Sequence, residues 1–142
     1  FGGGFALANG FKVSGLSDYI GLLFSHLNIH SELLLVIIIS LIVTFLTEVT
    51  SNTAMTTLIL PILAKAAVVL GINPLSLMIP ATLSASCAFM MPTATPTNAI
   101  VFGSGYVSIK QMNRAGIWLN FIGVIIVTTI YFTIGKTILG IT

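Results

Sequence analysis

The sequence predicts an all-α polytopic membrane protein, and three observations carry that prediction. First, of 142 residues 56% are hydrophobic and only 6% charged, far below the roughly 25% of charged residues in soluble domains. Second, the eight charges, Lys12, Asp18, Glu32, Glu48, Lys65, Lys110, Arg114 and Lys136, are scattered between long uncharged runs, which must meet lipid or other buried helices. Third, two of those runs are interrupted by compact polar clusters, at 47–53 and at 92–98. As continuous helix the chain would reach about 213 Å, enough for several crossings of a ~30 Å hydrocarbon core.

Other classes fall away on composition. A net charge of +2 is too dilute to form a basic patch for nucleic acid. The single cysteine, Cys87, allows neither a disulfide framework nor a zinc cluster within the chain. The start Phe1-Gly2-Gly3-Gly4 has no initiator Met and no basic region before its apolar stretch, so no cleavable signal peptide is read there.

The elements follow in order. Residues 1–10, with their triple glycine, suit the end of a packed membrane helix. Residues 11–30 mix Lys12, Asp18, His26 and His30 with apolar side chains, as an interfacial amphipathic helix and loop do. Leu33 to Thr47 is fifteen uncharged residues between Glu32 and Glu48, about 22 Å of helix and short of a full span. A polar tip at 47–53 and a second apolar arm to Leu70 follow. The pattern predicts a re-entrant hairpin over 31–70 that dips to mid-membrane and returns; one long helix with a polar patch is the simpler alternative.

Gly71-Ile72-Asn73-Pro74 is a turn signal. Residues 75–107 then read as a membrane helix broken at 92–98, because Pro92 and Pro96 each remove a helix hydrogen bond and bias the preceding residue away from helix. The last element, 112–138, contains 21 uncharged residues from Ala115 to Gly135 and reads as a full span. Lys110 and Arg114 place the loop before it in the cytoplasm, and Tyr106 and Trp118 read as interface anchors.

Both polar clusters precede a fresh helical start, near Thr53 and Thr97. Helix N-termini at membrane depth offer free N–H groups and a positive dipole end to an anion. The arms that end there leave carbonyl oxygens which, with Thr and Asn side chains, suit a small hard cation such as Na⁺. Alternatively such hydroxyls and amides only join helices. Glu48, the one charge near the tip, is compatible with structural pairing and with function alike. Gly103-Ser104-Gly105 invites comparison with an intramembrane serine protease, but Phe102 stands where that motif wants glycine and no histidine is near in sequence, so no enzyme is read here. His26 and His30 lack a third ligand nearby and read as a solvated face.

The segment Thr47-Glu48-Val49-Thr50-Ser51-Asn52-Thr53-Ala54 and the segment from Met91-Pro92-Thr93-Ala94-Thr95-Pro96-Thr97-Asn98 to Gly105 resemble the C-terminal repeat of the divalent anion:sodium symporter family, which includes sodium-coupled dicarboxylate and citrate transporters. The resemblance extends over nearly the whole chain and implies one half of an inverted-repeat carrier, part of a protein about three times longer. It implies substrate contacts at Ser51, Asn52, Thr53, Thr95 and Pro96, and a sodium site at Thr47, Thr50, Asn52 and Ala94, partly through backbone carbonyls. It also implies an N-terminal repeat as partner, a homodimer, a multi-pass location in the plasma (inner) membrane, no cofactor besides the coupling sodium, and an elevator-like shift of hairpin and broken helix. Family members often carry a second proline where this chain has Thr97. The rival readings are a sodium-independent carrier of arsenite, sulfate or proton-coupled carboxylate, and a non-transporting membrane scaffold subunit.

Overall fold

The computed structural model describes residues 31–140 together with 3, 6, 9, 10, 13–16 and 19. The elements expected over 1–10 and 11–30, His26 and His30 included, therefore lie largely outside the described residues. Among those described every regular element is helical. In chain order these are α1 (Glu32–Thr47), α2 (Asn52–Val69), α3 (Pro74–Ala85), α4 (Pro96–Gly103), α5 (Ile109–Ile130), a π-helical turn (Tyr131–Gly135) and α6 (Lys136–Ile138).

Ser31 begins α1 by accepting the Leu34 N–H, and Glu32 in the first turn suits the positive end of the helix dipole. The helix stops at Thr47, and after four intervening residues α2 starts with Asn52. The two arms expected in 31–70 are thus two helices joined by a tight turn. At 16 residues α1 measures about 24 Å, and at 18 residues α2 measures about 27 Å. By length and composition α2 is one of two helices among the described residues able to cross a membrane, the other being the continuous run Ile109–Ile138.

A turn with defined chemistry ends α2. Gly71, at φ +71°, takes a left-handed conformation that L side chains adopt only at a cost. That bend lets the Gly71 N–H donate to the Val68 carbonyl (3.1 Å) and the Ile72 N–H to the Ala67 carbonyl (3.0 Å), satisfying two carbonyls at the helix end. Asn73 then caps α3 by accepting the Leu75 N–H at 3.0 Å, and Pro74 occupies the first helical position, where its missing N–H costs nothing.

The interruption differs from the expected 92–98. Helix α3 ends at Ala85, and non-helical backbone runs over 86–95 before α4. The reason lies in where the N–H groups go. Those of Ser86 and Cys87 fall back three residues, to Leu83 and Ser84, and those of residues 89–91 leave the helix ladder altogether for a side chain described below. Pro96 stands not within the break but at the first position of α4. The final helix begins three residues before the expected 112, at a capping box in which Ser108 and Gln111 exchange side-chain and backbone hydrogen bonds.

Leu35, Val36, Ile39 and Val43 of α1 pack with Met55, Leu63 and Ala67 of α2 and Leu77, Ala81 and Ala85 of α3. Helix α5 lies antiparallel against α1. Asn120 meets Glu48 at one level, and Lys136 meets Glu32 at 2.7 Å at the other. Both pairs of anchor points are 16 residues apart along their own helix, so two polar clasps about 24 Å apart fix the register of the two helices.

Replacing Gly71 by Ala forces a side chain into the left-handed region and should cost about 1–2 kcal/mol. Thermal unfolding of the purified full-length protein would show a lower midpoint, whereas transport at permissive temperature should be unaltered.

Candidate functional site

The two polar clusters meet through one side chain. Glu48, at the C-cap of α1, is 4% exposed. Its Oε1 accepts the N–H groups of Phe89 (2.8 Å) and Met90 (2.9 Å) and the side-chain amide of Asn120 (2.7 Å); its Oε2 accepts the Met91 N–H (2.9 Å). Three successive backbone N–H groups turned to one carboxylate form an anion-binding concavity, occupied here by the protein's own anion. Four donors and no acceptor face the group, the pattern a carboxylate satisfies. Asn120 is fully buried, and its Oδ1 in turn accepts from Phe89 N–H at 3.3 Å.

Asn98, on the opposite side of the same loop, closes it. Its Nδ2 donates to the carbonyls of Ala88 (2.9 Å) and Met91 (3.0 Å), and its backbone N–H donates to the Thr95 hydroxyl (3.1 Å), which caps α4. The Met91 carbonyl also accepts the Ala94 N–H at 3.2 Å. Residues 89–91 are therefore held by Glu48 through their N–H groups and by Asn98 through a carbonyl, with buried Ala94 one turn further on. Helix α5 presses against this loop at Gly116, where a Cβ would stand 2.5 Å from the Phe89 oxygen and 2.6 Å from the Met90 Cα. Only glycine allows that approach.

The tip carries a second oxygen cluster. The Thr47 hydroxyl, fully buried, lies within hydrogen-bond reach of the Asn52 side-chain oxygen and of the Ala85 carbonyl, the latter at 3.0 Å. One hydroxyl proton serves one of these acceptors at a time, so the three oxygens form an electron-rich group able to face a hard cation. Among the described residues no three His, Cys, Asp or Glu side chains gather as a transition metal would require.

The expected site residues fall into distinct surroundings. Thr47 and Asn52 touch directly. Thr50 lies in the turn after α1, and its hydroxyl donates to the Leu46 carbonyl (2.9 Å). Ser51 is exposed and its side chain makes no cap hydrogen bond, so the first N–H groups of α2, at Asn52, Thr53 and Ala54, stay unclaimed among the described residues. Thr53 and Pro96 are exposed, and Thr95 is half-buried with its hydroxyl engaged in capping α4. The hydrogen bonds that join tip to break run through Glu48, not through the expected substrate residues.

Asn98, Asn120 and Gly116 were not singled out in the sequence, although two signals were available. Asn120 is a lone amide inside an otherwise apolar span, a costly placement that calls for a buried partner. Asn98 closes the Pro-Thr-Ala-Thr-Pro-Thr-Asn run in the first turn of the following helix, three residues after its cap Thr95. Ser104, considered for nucleophilic chemistry, instead donates to the Val101 carbonyl at 2.7 Å within the turn that ends α4.

Comparison with known sequences now bears on this arrangement. Residues 1–141 match the sodium:sulfate symporter transmembrane region. The chain belongs to that family. Family membership makes it part of an integral membrane protein of the plasma membrane, and it makes a transport role, not an enzymatic one, the family's function. The chain is 45% identical over 141 residues to the sodium-dependent dicarboxylate transporter SdcS of Staphylococcus saprophyticus and 52% identical to SdcS of Staphylococcus aureus strain MRSA252. Each alignment covers 99% of this chain and 27% of the relative. The chain thus spans about a quarter of the length of these transporters, which are longer than the threefold the resemblance alone implies.

Gly116→Ala must displace the backbone of residues 89 and 90, and purified full-length protein carrying it should unfold at a clearly lower temperature. Gly123→Ala is the matched control, because its Cβ would meet Cys87 at an ordinary 3.4 Å; equal stability of the two variants would contradict the close approach.

Proposed function

We propose that the chain is the C-terminal repeat of a sodium-coupled transporter of di- or tricarboxylates. In this reading 31–70 is the re-entrant hairpin, 75–107 the broken membrane helix and 112–138 the closing span. The observation that supports it most is the Glu48 clasp, which brings the hairpin turn and the interrupted backbone together against Asn120, about 17 Å from the start and about 27 Å from the end of the continuous helical run Ile109–Ile138. Two helix ends gathered part-way along a membrane-length helix are the arrangement in which discontinuous helices bind ions and anionic substrates. The names of the SdcS relatives supply the substrate class.

The roles divide by chemistry. Substrate carboxylate oxygens are received by Ser51, Asn52, Thr53, Thr95 and Pro96, where the unclaimed N–H groups of α2 and the dipole ends of α2 and α4 favour negative charge. Sodium is coordinated by neutral oxygens of Thr47, Thr50, Asn52 and Ala94. Asn52 stands in both sets, so filling the cation site orients a residue the anion needs, which is a direct route to coupling. The N-terminal repeat supplies the other half of the pocket. The assembled homodimer moves hairpin and broken helix as an elevator against a fixed scaffold.

The test uses the full-length protein in proteoliposomes with radiolabelled succinate or citrate. Asn52→Ala and Thr95→Ala should each lower sodium-driven uptake by at least about tenfold. Unchanged uptake in both variants would sink the site assignment. Uptake that persists when choline replaces sodium, or that follows a proton gradient instead, would contradict sodium coupling.

A further inference from the structure

We propose that Glu48 and Asn120 are positioning residues for the cation, holding the ligands contributed by the tip and by the break at a fixed separation while touching neither ion nor substrate. The inference rests on the sodium-coupled reading above and goes beyond its residue set.

Both flanks of the candidate cation site hang directly from this clasp. Thr47 precedes Glu48 in the chain, so anchoring the carboxylate fixes the Thr47 backbone and the buried hydroxyl that reaches Ala85 and Asn52. On the other flank Glu48 holds the N–H groups of residues 89–91, and Ala94 closes a turn onto the Met91 carbonyl. Asn120 ties the carboxylate to a long helix that is itself clasped to α1 at Glu32 and Lys136, giving the clasp a rigid backing.

Asn52, shared by both sets, touches Thr47 directly; the other candidate substrate residues hang from the clasp less directly. Ser51 and Thr53 sit at the exposed start of α2, and Thr95 and Pro96 at the start of α4, which has its own cap in Thr95 and Asn98. Loosening the clasp should therefore weaken sodium before it weakens substrate. Outer partners that orient metal ligands change metal affinity by about 10–100-fold when removed, the scale expected here.

Three variants of the full-length protein separate geometry from charge. Glu48→Gln keeps the size but turns an NH₂ group toward backbone donors. Glu48→Asp keeps the charge but withdraws it by about 1.5 Å. Asn120→Ala leaves Glu48 in place and removes its backing. In proteoliposomes each should raise the sodium concentration for half-maximal uptake, by about tenfold or more for the Glu48 variants. The substrate KM measured at saturating sodium should stay within about twofold, since none of the substitutions alters a substrate-contact side chain and a filled cation site orients Asn52. Sodium-dependent thermal stabilisation of the purified variants should shift in parallel, and it decides the matter for a variant too slow to transport.

An Asp variant that behaves like wild type would show that charge alone suffices and would overturn the positioning role. So would an unshifted sodium dependence in Asn120→Ala and Glu48→Gln. A rise in substrate KM with sodium dependence unchanged would overturn it as well. If instead the wild-type protein shows no sodium-dependent uptake of dicarboxylate, the transport reading fails, a result distinct from any of these.

Discussion

A carboxylate withdrawn from water must be met by donors, and Glu48 is met by four of them. Hydrogen bonds to a charged group contribute about 1.5–3 kcal/mol each, and a buried donor left without its acceptor costs about as much. The three backbone donors in this set belong to residues 89–91, which have abandoned the helix ladder, so neither party is satisfied without the other. The interruption of the helix and the burial of the charge are one arrangement. Remove the carboxylate and the break loses its reason to stay open at residue 86. Restore the helix and Glu48 loses its partners.

From that mutual dependence the rest of the site follows. The loop over 86–95 is pinned on its N–H side by Glu48 and on its carbonyl side by Asn98, so its oxygens are presented in fixed directions. Because the 89–91 donors are already taken by an internal anion, they are closed to an incoming one. The tip hydroxyl of Thr47 meets the side-chain oxygen of Asn52 across the hairpin turn. In the proposed reading anion and cation chemistry are separated by a few residues of one chain, with Asn52 serving both.

Much of this was legible in the residues. The uncharged runs marked the helices, and Ser-Asn-Thr and the paired prolines marked the two polar clusters, because helix caps and missing N–H groups are local chemistry. The turn at Gly71 and the cap at Asn73 were equally local. The true start of the break was not legible, since it depends on a carboxylate 41 residues upstream and not on Pro92. The roles of Asn120 and Gly116 are long-range in the same way: one amide and one missing side chain in an apolar span acquire meaning only when the facing loop is in place. The resemblance to anion:sodium symporters named the family that the match over residues 1–141 then showed, while the link between tip and break came only from the geometry.

The central claim is that the Glu48 carboxylate holds the backbone of residues 89–91. Hydrogen–deuterium exchange of the full-length protein, followed in peptides covering 86–95, tests it most directly. The wild-type amides of Phe89, Met90 and Met91 should exchange slowly despite lying outside any helix, and Glu48→Gln should release them selectively while α1 and α5 stay protected. Rapid exchange at these three amides in the wild-type protein, or protection unchanged in Glu48→Gln, would contradict the account.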